Sequence, residues 1–254
     1  MPVIDPTQRF SSRVEQYVRY RPGYPAEVIE CLRVECGLTP SAVIADVASG
    51  TGLFTRLLLD NGNEVYAVEP NVDMRAAGEQ FLSGYPKLHS VDGRAEATTL
   101  PDHSMDFVTA AQAAHWFDRD ATRREFVRIL KRGGWAALVW NERCTDSTPF
   151  LRAYEDLLLQ YGTDYSEVRH ERTTSTLDAF FHPAPFDSRV FDYQQEFDYD
   201  GLKGRLLSSS YTPQAGEPNH EPMVRELRRL FDTYNKTGRV AFEYKTRVYF
   251  GRLA

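Results

Sequence analysis

The stretch Ala42-Val43-Ile44-Ala45-Asp46-Val47-Ala48-Ser49-Gly50-Thr51-Gly52 decides the fold. Its first half is a short, nearly continuous apolar run that ends in an acid, a pattern typical of a strand covered on both faces of a parallel sheet. Its second half is a turn of small residues, and residues 53–59 then have the composition of a helix. The sequence therefore predicts a strand, a turn at its carboxyl end, and a helix.

The same alternation of strand and helix continues along the chain. Apolar runs predict strands at residues 64–69, 88–91, 105–111 and 135–140. Helices are predicted at residues 72–82 and after Asp118 or Asp120, either of which can cap the second helix, with Gly133 as its terminator. Such alternation indicates an α/β fold with a doubly wound, mostly parallel sheet and right-handed crossovers.

The two ends of the chain differ from this central pattern. Pro25 opens a predicted helix that stops at Gly37. After residue 141 we expect helices at 149–161, 202–211 and 223–235, strands at 190–197 and 239–253 with the last one antiparallel, and a helical or loop-like cap at 163–185. We interpret residues 1–254 as one domain, with a helical lid at 1–38, a cofactor-binding half at 42–141, and a substrate cap with the C-terminal strands at 142–254.

Composition narrows the classes of partner. The chain of 254 residues carries a formal net charge of −6, which argues against nucleic acid or an anionic membrane as its main partner. Cys31, Cys36 and Cys144 are too few and too irregularly spaced for a disulfide framework. With no signal-peptide pattern and no apolar run of membrane length, we expect a cytoplasmic protein. The oligomeric state is left open.

The turn after the first strand has a distinctive charge. Asp46 precedes it, and Glu69 closes the second strand, where an acid can hold both hydroxyls of a ribose. A dinucleotide-binding turn needs a third glycine, which is missing after Gly50 and Gly52, and an acid before the turn would repel a pyrophosphate. A phosphate-binding loop of the G-K-[ST] type needs a lysine that this segment lacks. A cationic nucleoside with an amino-acid tail fits the acidic turn better.

Taken in order, these features resemble the class I S-adenosylmethionine-dependent methyltransferases. Residues 46–52 resemble their first motif, D-x-G-x-G-x-G, with Ala48 in the first glycine position. Further similarities are found in Glu69-Pro70-Asn71-Val72-Asp73-Met74, in Gly93-Arg94-Ala95-Glu96 followed by Leu100-Pro101, and in Lys131-Arg132-Gly133-Gly134. The resemblance implies a seven-stranded Rossmann-like methyltransferase fold. It is strongest to the small-molecule branch that includes trans-aconitate methyltransferases, through Tyr20-Arg21-Pro22-Gly23-Tyr24-Pro25, Ala111-Gln112-Ala113-Ala114-His115-Trp116-Phe117 and residues 204–211.

The resemblance also implies a set of residues that bind S-adenosylmethionine. The expected members are Asp46, Ala48, Gly50, Gly52, Glu69, Met74, Arg94, Ala95 and Gln112. Glu69 is expected on the ribose, Met74 beside the nucleoside, and Gln112 on the methionine end. An acid often stands where this chain has Arg94, so the adenine contact there is expected from the backbone of Ala95. No cluster of acids and histidines indicates a metal.

The acceptor side is predicted from residues near the carboxyl edge of the sheet. His115 is the candidate general base, because a histidine titrates near neutral pH. Trp116 is expected to wall the acceptor pocket or to stack beside the sulfonium. Tyr17, Tyr20 and Arg21 are candidates for a lid, and Arg21 for a carboxylate clamp. Asn141 and Tyr211 complete the predicted substrate residues.

Two other functional classes stay open at this point. One is a non-catalytic protein that binds S-adenosylmethionine or S-adenosylhomocysteine, which would lack an open acceptor pocket. The other is a nucleotide-dependent oxidoreductase on a related fold, which would need a third glycine in the turn or a tyrosine–lysine pair at helical spacing. Neither feature is found in the sequence.

Overall fold

The computed structural model describes residues 20–165 and 173–253, and these contain a seven-stranded sheet in the order β3-β2-β1-β4-β5-β7-β6. The strands are β1 (Val43–Val47), β2 (Glu64–Val68), β3 (Leu88–Val91), β4 (Met105–Ala111), β5 (Leu130–Arg143), β6 (Phe186–Phe197) and β7 (Val240–Gly251). The helices are α1 (Glu27–Cys36), α2 (Leu53–Asp60), α3 (Val72–Phe81), α4 (Arg119–Ile129), α5 (Pro149–Tyr161), α6 (Thr173–Phe181), α7 (Tyr199–Leu207) and α8 (His220–Tyr234).

The sheet is mostly parallel, as the sequence predicts. Strands β1 to β5 pair in parallel, and β7 runs antiparallel to both β5 and β6. The order of the strands reverses between β1 and β4, so the loops that leave the carboxyl ends of these two strands point away from each other and open a crevice. A ligand site is expected there.

The apolar run that precedes the turn of small residues forms strand β1. It lies between β2 and β4, and residues 44–47 are all buried. A strand with a neighbour on each side and helices over both faces has no solvent-facing side, which explains why its residues do not alternate between apolar and polar. The strand therefore fixes Asp46 in the protein interior.

Local signals place several helix ends correctly. Gly37 adopts a left-handed conformation (φ 71°) after α1, and its N–H bonds to the carbonyl of Arg33, as a C-terminal glycine does. Asp118 caps α4 by accepting a hydrogen bond from the N–H of Ala121. Asn71 caps α3 in the same way through the N–H of Met74.

The predicted end of α4 at Gly133 is wrong. The helix ends at Ile129, and β5 begins at Leu130, five residues before the predicted strand. Leu130 is buried and pairs with Met105 of β4, while Lys131 forms an ion pair with Asp106. These tertiary contacts pull residues 130–134 into the sheet, so the glycine lies inside the strand segment and does not end the helix.

The C-terminal helices pack around the antiparallel strands β6 and β7. Helices α5, α7 and α8 pack on one half of these strands and form a separate apolar cluster, centred on Tyr154 and Phe242. Helix α6 buries Leu177, Phe180 and Phe181 beside Phe126 of α4 instead.

The position of α6 differs from the predicted cap at residues 163–185. Phe181 packs on Phe186, which is level with Gly251 and with Ala136 near the start of β5. The three large apolar side chains of α6 thus hold it at the amino edge of β5, opposite the ligand crevice. In the described ranges, no helix combines the length and the apolar character needed to cross a membrane.

Candidate functional site

A cavity that is open to solvent lies at the carboxyl ends of β1 and β4. Its lining residues are Arg21, Pro22, Tyr24, Asp46, Ala48, Ser49, Gly50, Thr51, Leu53, Phe54, Ala111 and Gln112. They come from the N-terminal segment, the turn after β1, the first turn of α2 and the end of β4. The crevice predicted from the strand order is therefore present, and the turn after β1 forms its floor.

Asp46 is the buried acid of this cavity, with 1% of its surface exposed. Its carboxylate accepts hydrogen bonds from the hydroxyls of Thr55 (2.6 Å) and Thr109 (2.9 Å). Burial raises the pKa of Asp46 to about 6; the two threonines oppose this shift and the negative charge of Glu69 adds to it. A cation placed in the cavity would stabilise the ionised carboxylate, because the cost of burying its charge would be compensated.

The turn after β1 has an unusual backbone. Ala48, Gly50 and Gly52 have φ angles of 55°, 58° and 82°. The N–H of Ser49 bonds to the carbonyl of Val68, which ties the turn to the end of β2 (3.1 Å). The φ of Gly52 favours glycine, and a Cβ there would lie 2.5 Å from the side chain of Leu82, which would have to move. The alanine in the first glycine position of the motif is thus held in a conformation that L-residues rarely adopt.

One hydroxyl in the turn has no partner among the described residues. The Oγ1 atom of Thr51 is buried and makes no hydrogen bond to that part of the chain, and Thr51 lines the cavity. Buried polar atoms normally have a partner, so an orphan in a cavity wall suits a polar ligand group. Together with the buried carboxylate of Asp46, this hydroxyl fits a cationic, polar ligand and not a purely apolar one.

Glu69 lies directly after β2 and braces the turn. One carboxylate oxygen accepts from the N–H of Gly50 (2.9 Å) and the other from the N–H of Asn71 (2.9 Å). Burial raises the pKa of Glu69, while these backbone hydrogen bonds and Arg75 oppose the shift. Asp46 and Glu69 thus lie at the same edge of the sheet, and the charge of Glu69 acts on Asp46, although Glu69 does not line the cavity itself.

Of the other predicted cofactor residues, Met74 lies beside this turn. Met74, on α3, is buried, and its methyl end lies 3.4 Å from the position of a Cβ at Gly50. Ala95 is buried in the core, while Arg94 is exposed and its backbone bonds to that of Ala97. A contact from Arg94 or Ala95 to a ligand stays a prediction.

Gln112 and Asn141 form one network across the cavity wall. Gln112 has a φ of 59° and donates from Nε2 to the carbonyl of Asn141 (2.9 Å). The side chain of Asn141 donates to the carbonyl of Gly23 (2.8 Å) and accepts from Thr246 of β7 (2.6 Å). Only Gln112 of this pair lines the cavity. The geometry gives Asn141 a structural task, and its predicted contact with substrate is not tested.

His115 and Trp116 form a short 3₁₀ turn after β4. Both side chains are exposed, and their rings lie 4.8 Å apart at 46°. Neither residue is in the wall of the cavity. The turn stands near the crevice because it follows Gln112, but a catalytic role for His115 remains a prediction.

The predicted lid is partly described. Arg21 lines the cavity and donates from Nη2 to the carbonyl of Ser208, after α7 (2.9 Å). The ring of Tyr20 fills the space beside Gly204, so that a Cβ there would lie 2.2 Å from it. Tyr211 packs on Tyr165 with ring centroids 4.8 Å apart. Tyr17 lies outside the described residues.

Several residues of the site were not predicted from the sequence. Thr55 and Thr109 hold Asp46, Thr51 presents the orphan hydroxyl, and Asn71 caps α3 and bonds to Glu69. Thr51 and Asn71 lie within quoted motifs, so their polar side chains were a usable signal. Thr55 and Thr109 are 9 and 63 residues from Asp46, and nothing local in the sequence connects them.

Comparison with known proteins agrees with this geometry. Residues 45–138 match the family model described as "Methyltransferase domain". This central segment resembles methyltransferase domains. The matched part contains Asp46, the turn, Glu69 and Gln112, that is, the floor and one wall of the cavity.

Individual relatives give the same result. A methyltransferase-like protein of Schizosaccharomyces pombe is 31% identical over 156 residues, which are 61% of this chain and 59% of that protein. An uncharacterised methyltransferase of Mycobacterium tuberculosis strain H37Rv is 37% identical over 141 residues, 55% of this chain and 54% of that protein. The match thus spans little more than half the length of these curated relatives.

Among solved structures, a proposed type II methyltransferase from Anaeromyxobacter dehalogenans is similar with a TM-score of 0.67, 22% identity, and coverage of 92% of this chain and 98% of that one. At this identity the similarity shows the fold alone. The chain therefore has the Rossmann-like methyltransferase fold, as its sequence predicts.

Proposed function

We propose that this protein transfers a methyl group from S-adenosylmethionine to a small organic acceptor. The observation that carries the proposal is the placement of Asp46 and Glu69 at the ends of adjacent strands, around a turn whose backbone lines an open cavity. The similarity of residues 45–138 to methyltransferase domains supports it.

The residues present fit this cofactor. Asp46 would hold the ammonium group of the methionine end, since the partners of its buried carboxylate in the described part of the chain are two neutral hydroxyls. Glu69 would face the ribose, and Gln112 and Thr51 would supply polar contacts from opposite walls. When bound, S-adenosylmethionine supplies a methyl group on a positively charged sulfur, and an acceptor lone pair takes it while the C–S electron pair stays on sulfur.

The protein's own contribution is chiefly positioning. The sulfonium is already a good leaving group, so holding the acceptor in line supplies most of the acceleration. An ionised carboxylate acceptor needs no base, whereas a hydroxyl or an ammonium does. Since His115 is exposed and outside the cavity wall, we favour an acceptor that reacts without it. A relation to trans-aconitate methyltransferases remains part of this proposal.

Two measurements test the proposal. Isothermal titration with S-adenosylmethionine, S-adenosylhomocysteine and a nicotinamide nucleotide should show binding of the first two only. Incubation with tritiated-methyl S-adenosylmethionine and a metabolite extract should then yield a labelled small molecule. Binding without transfer would indicate a binding protein, and binding of the nicotinamide nucleotide alone would indicate an oxidoreductase.

The matched variants are Asp46→Asn and Asp73→Asn. Asp73 is an exposed acid on α3, away from the cavity wall, so its loss should leave the titration unchanged. Asp46→Asn should weaken cofactor binding by about tenfold or more, as expected when a charged partner of a ligand cation is removed. Equal affinities in the two variants would contradict the proposed role of Asp46.

A further inference from the structure

A buried cluster of arginine and tyrosine side chains lies beside the cofactor cavity, and two of its members, Arg21 and Tyr211, are residues that the sequence predicts on the acceptor side. We call it the arginine–tyrosine cluster; its members are Arg21, Arg143, Arg205, Tyr154, Tyr211 and Tyr244. It joins the end of β5 to α5, α7 and β7. Arg21 belongs to the cavity wall as well, so the two regions share this residue.

Arg205 is the most enclosed cation of the cluster. It lies on α7 with 6% of its surface exposed. Its hydrogen bonds end on neutral oxygens, the hydroxyl of Tyr244 (3.4 Å) and Oγ of Ser209 (3.1 Å). Within the ranges that the structure describes, no carboxylate forms an ion pair with it. A buried guanidinium without a counter-ion is costly, and such charges are normally paired.

Arg143, at the end of β5, is also incompletely satisfied. Its Nη2 atom contacts Glu155 and the hydroxyl of Tyr165. Its Nη1 atom is buried and makes no hydrogen bond. The guanidinium lies over the ring of Tyr154, with 5.1 Å between its carbon and the ring centroid. The described residues therefore provide no acceptor for this donor.

The positive charges converge on one hydroxyl. Burial by itself would raise the pKa of Tyr211, yet the pKa is lowered because Arg205, Arg21 and Arg143 all favour the phenolate. Part of the surface of Tyr211 is exposed, while its hydroxyl is buried among these guanidinium groups. The positive charges therefore lie close together beside Arg21, which also lines the cavity.

We propose that the arginine–tyrosine cluster binds an oxyanion group, a carboxylate or a phosphate, of the methyl acceptor. The identity of the bound molecule as the methyl acceptor rests on the proposed function, whereas the anion-binding site is inferred from the cluster itself. An oxyanion beside Tyr211 would give Arg143 Nη1 its missing acceptor and Arg205 its missing counter-charge. Guanidinium groups match the oxygens of such anions in pairs, and the tyrosine rings form an apolar wall for the body of the molecule.

The test uses three probes of similar shape: benzoate, phenyl phosphate and the neutral benzamide. Each is titrated into the full chain saturated with S-adenosylhomocysteine, by calorimetry and by thermal shift. We expect benzoate or phenyl phosphate to bind and benzamide not to bind, and the one that binds identifies the anion. Binding of neither anion, or equal binding of benzamide, would overturn the proposal.

The variants are Arg205→Met and, as its control, Arg228→Met. Arg228 is an exposed arginine of α8 that also lies over a tyrosine ring, that of Tyr199. Arg205→Met should lower the affinity for the anion about tenfold or more, because a buried charge partner is lost. Arg228→Met should leave this affinity unchanged. Without anion, Arg205→Met should melt at the same temperature as the wild type or higher, because a buried uncompensated charge has been removed.

The opposite melting result separates a structural role from a binding role. If Arg205→Met lowers the melting temperature by several degrees and leaves anion affinity intact, Arg205 is a structural residue and the inference fails. Titration with S-adenosylhomocysteine alone is scored separately: its failure in the wild type counts against the proposed function, whereas anion binding in the same preparation would still support the cluster.

Discussion

The side-chain amide of Asn141, on β5, donates a hydrogen bond to the carbonyl of Gly23 (2.8 Å) and so fastens the N-terminal segment over the cavity. The same side chain accepts from Thr246 on β7, and its backbone carbonyl accepts from Gln112. One buried residue thus joins the segment that carries Arg21, the last strand and the wall of the cavity.

This arrangement predicts that Asn141→Ala is destabilising. It removes two buried side-chain hydrogen bonds and leaves the hydroxyl of Thr246 and the carbonyl of Gly23 without these partners. We expect a loss of about 2–3 kcal/mol in the free energy of unfolding, measured by urea denaturation. Asn235→Ala is the control, since Asn235 bonds only within its own helix end and turn. Equal losses of unfolding free energy in the two variants would contradict the role of Asn141 as a link between the N-terminal segment and β7.

Cofactor binding should depend on pH through Asp46. The pKa of Asp46 is raised from 3.8 to about 6, so the native chain holds this proton more tightly than the unfolded chain, and the free protein loses stability as the pH rises through this window. A cationic ligand prefers the ionised carboxylate. Its affinity should therefore fall about tenfold between about pH 7 and about pH 5, measured by calorimetry. In Asp46→Asn this slope should disappear; its persistence would assign the titration to another group.

Ala48→Gly should stabilise the protein. Ala48 has a φ of 55°, a conformation that costs an L-residue about 1–2 kcal/mol. Glycine avoids this cost, but part of the gain is lost because glycine has more conformational entropy in the unfolded chain. We expect a net gain of about 0.5–1 kcal/mol, seen as a higher melting temperature. Ala45→Gly, in the buried extended strand β1, should instead destabilise. A lower melting temperature for Ala48→Gly would show that the strain is absent.

His115→Ala should keep most of the turnover if the acceptor is an ionised acid. The side chain is exposed and lies outside the cavity wall. Turnover at saturating acceptor is the measurement, with His103→Ala, a histidine of the loop before β4, as the control. A drop of about 10²–10⁴-fold in His115→Ala alone would identify a general base and exclude the base-free scheme.

The central fold could be predicted because its signals are local. Strand β1 is buried on both sides, so its composition alone marks it, and Gly37 marks the end of α1 through its backbone conformation. The end of α4 could not be read in this way. Leu130 leaves the helix because it pairs with Met105 of β4 and packs in the core. Gly133, three residues later, gives no indication of these tertiary contacts.

The residues of the candidate site also differ in how far they could be predicted from the sequence. Asp46 and Glu69 could be predicted because the ends of parallel strands meet at one edge of a sheet. Arg21 and Tyr211 are predicted on the acceptor side, but their grouping with Arg143 and Arg205 could not be predicted, since these residues come from different elements and meet only in the folded chain. No spacing in the sequence indicates a group that depends on the packing of α5 and α7 against strands β6 and β7.

The position of β6 at the end of the sheet has a consequence for solubility. In the described part of the chain β6 pairs with β7 alone, so one row of its backbone groups is open to a second chain. Its first half presents Asp187 and Arg189 to solvent, and Arg189 is paired with Glu35 of α1. Charges on an open edge discourage the stacking of strands between molecules, so neutral residues at positions 187 and 189 should favour aggregation during refolding.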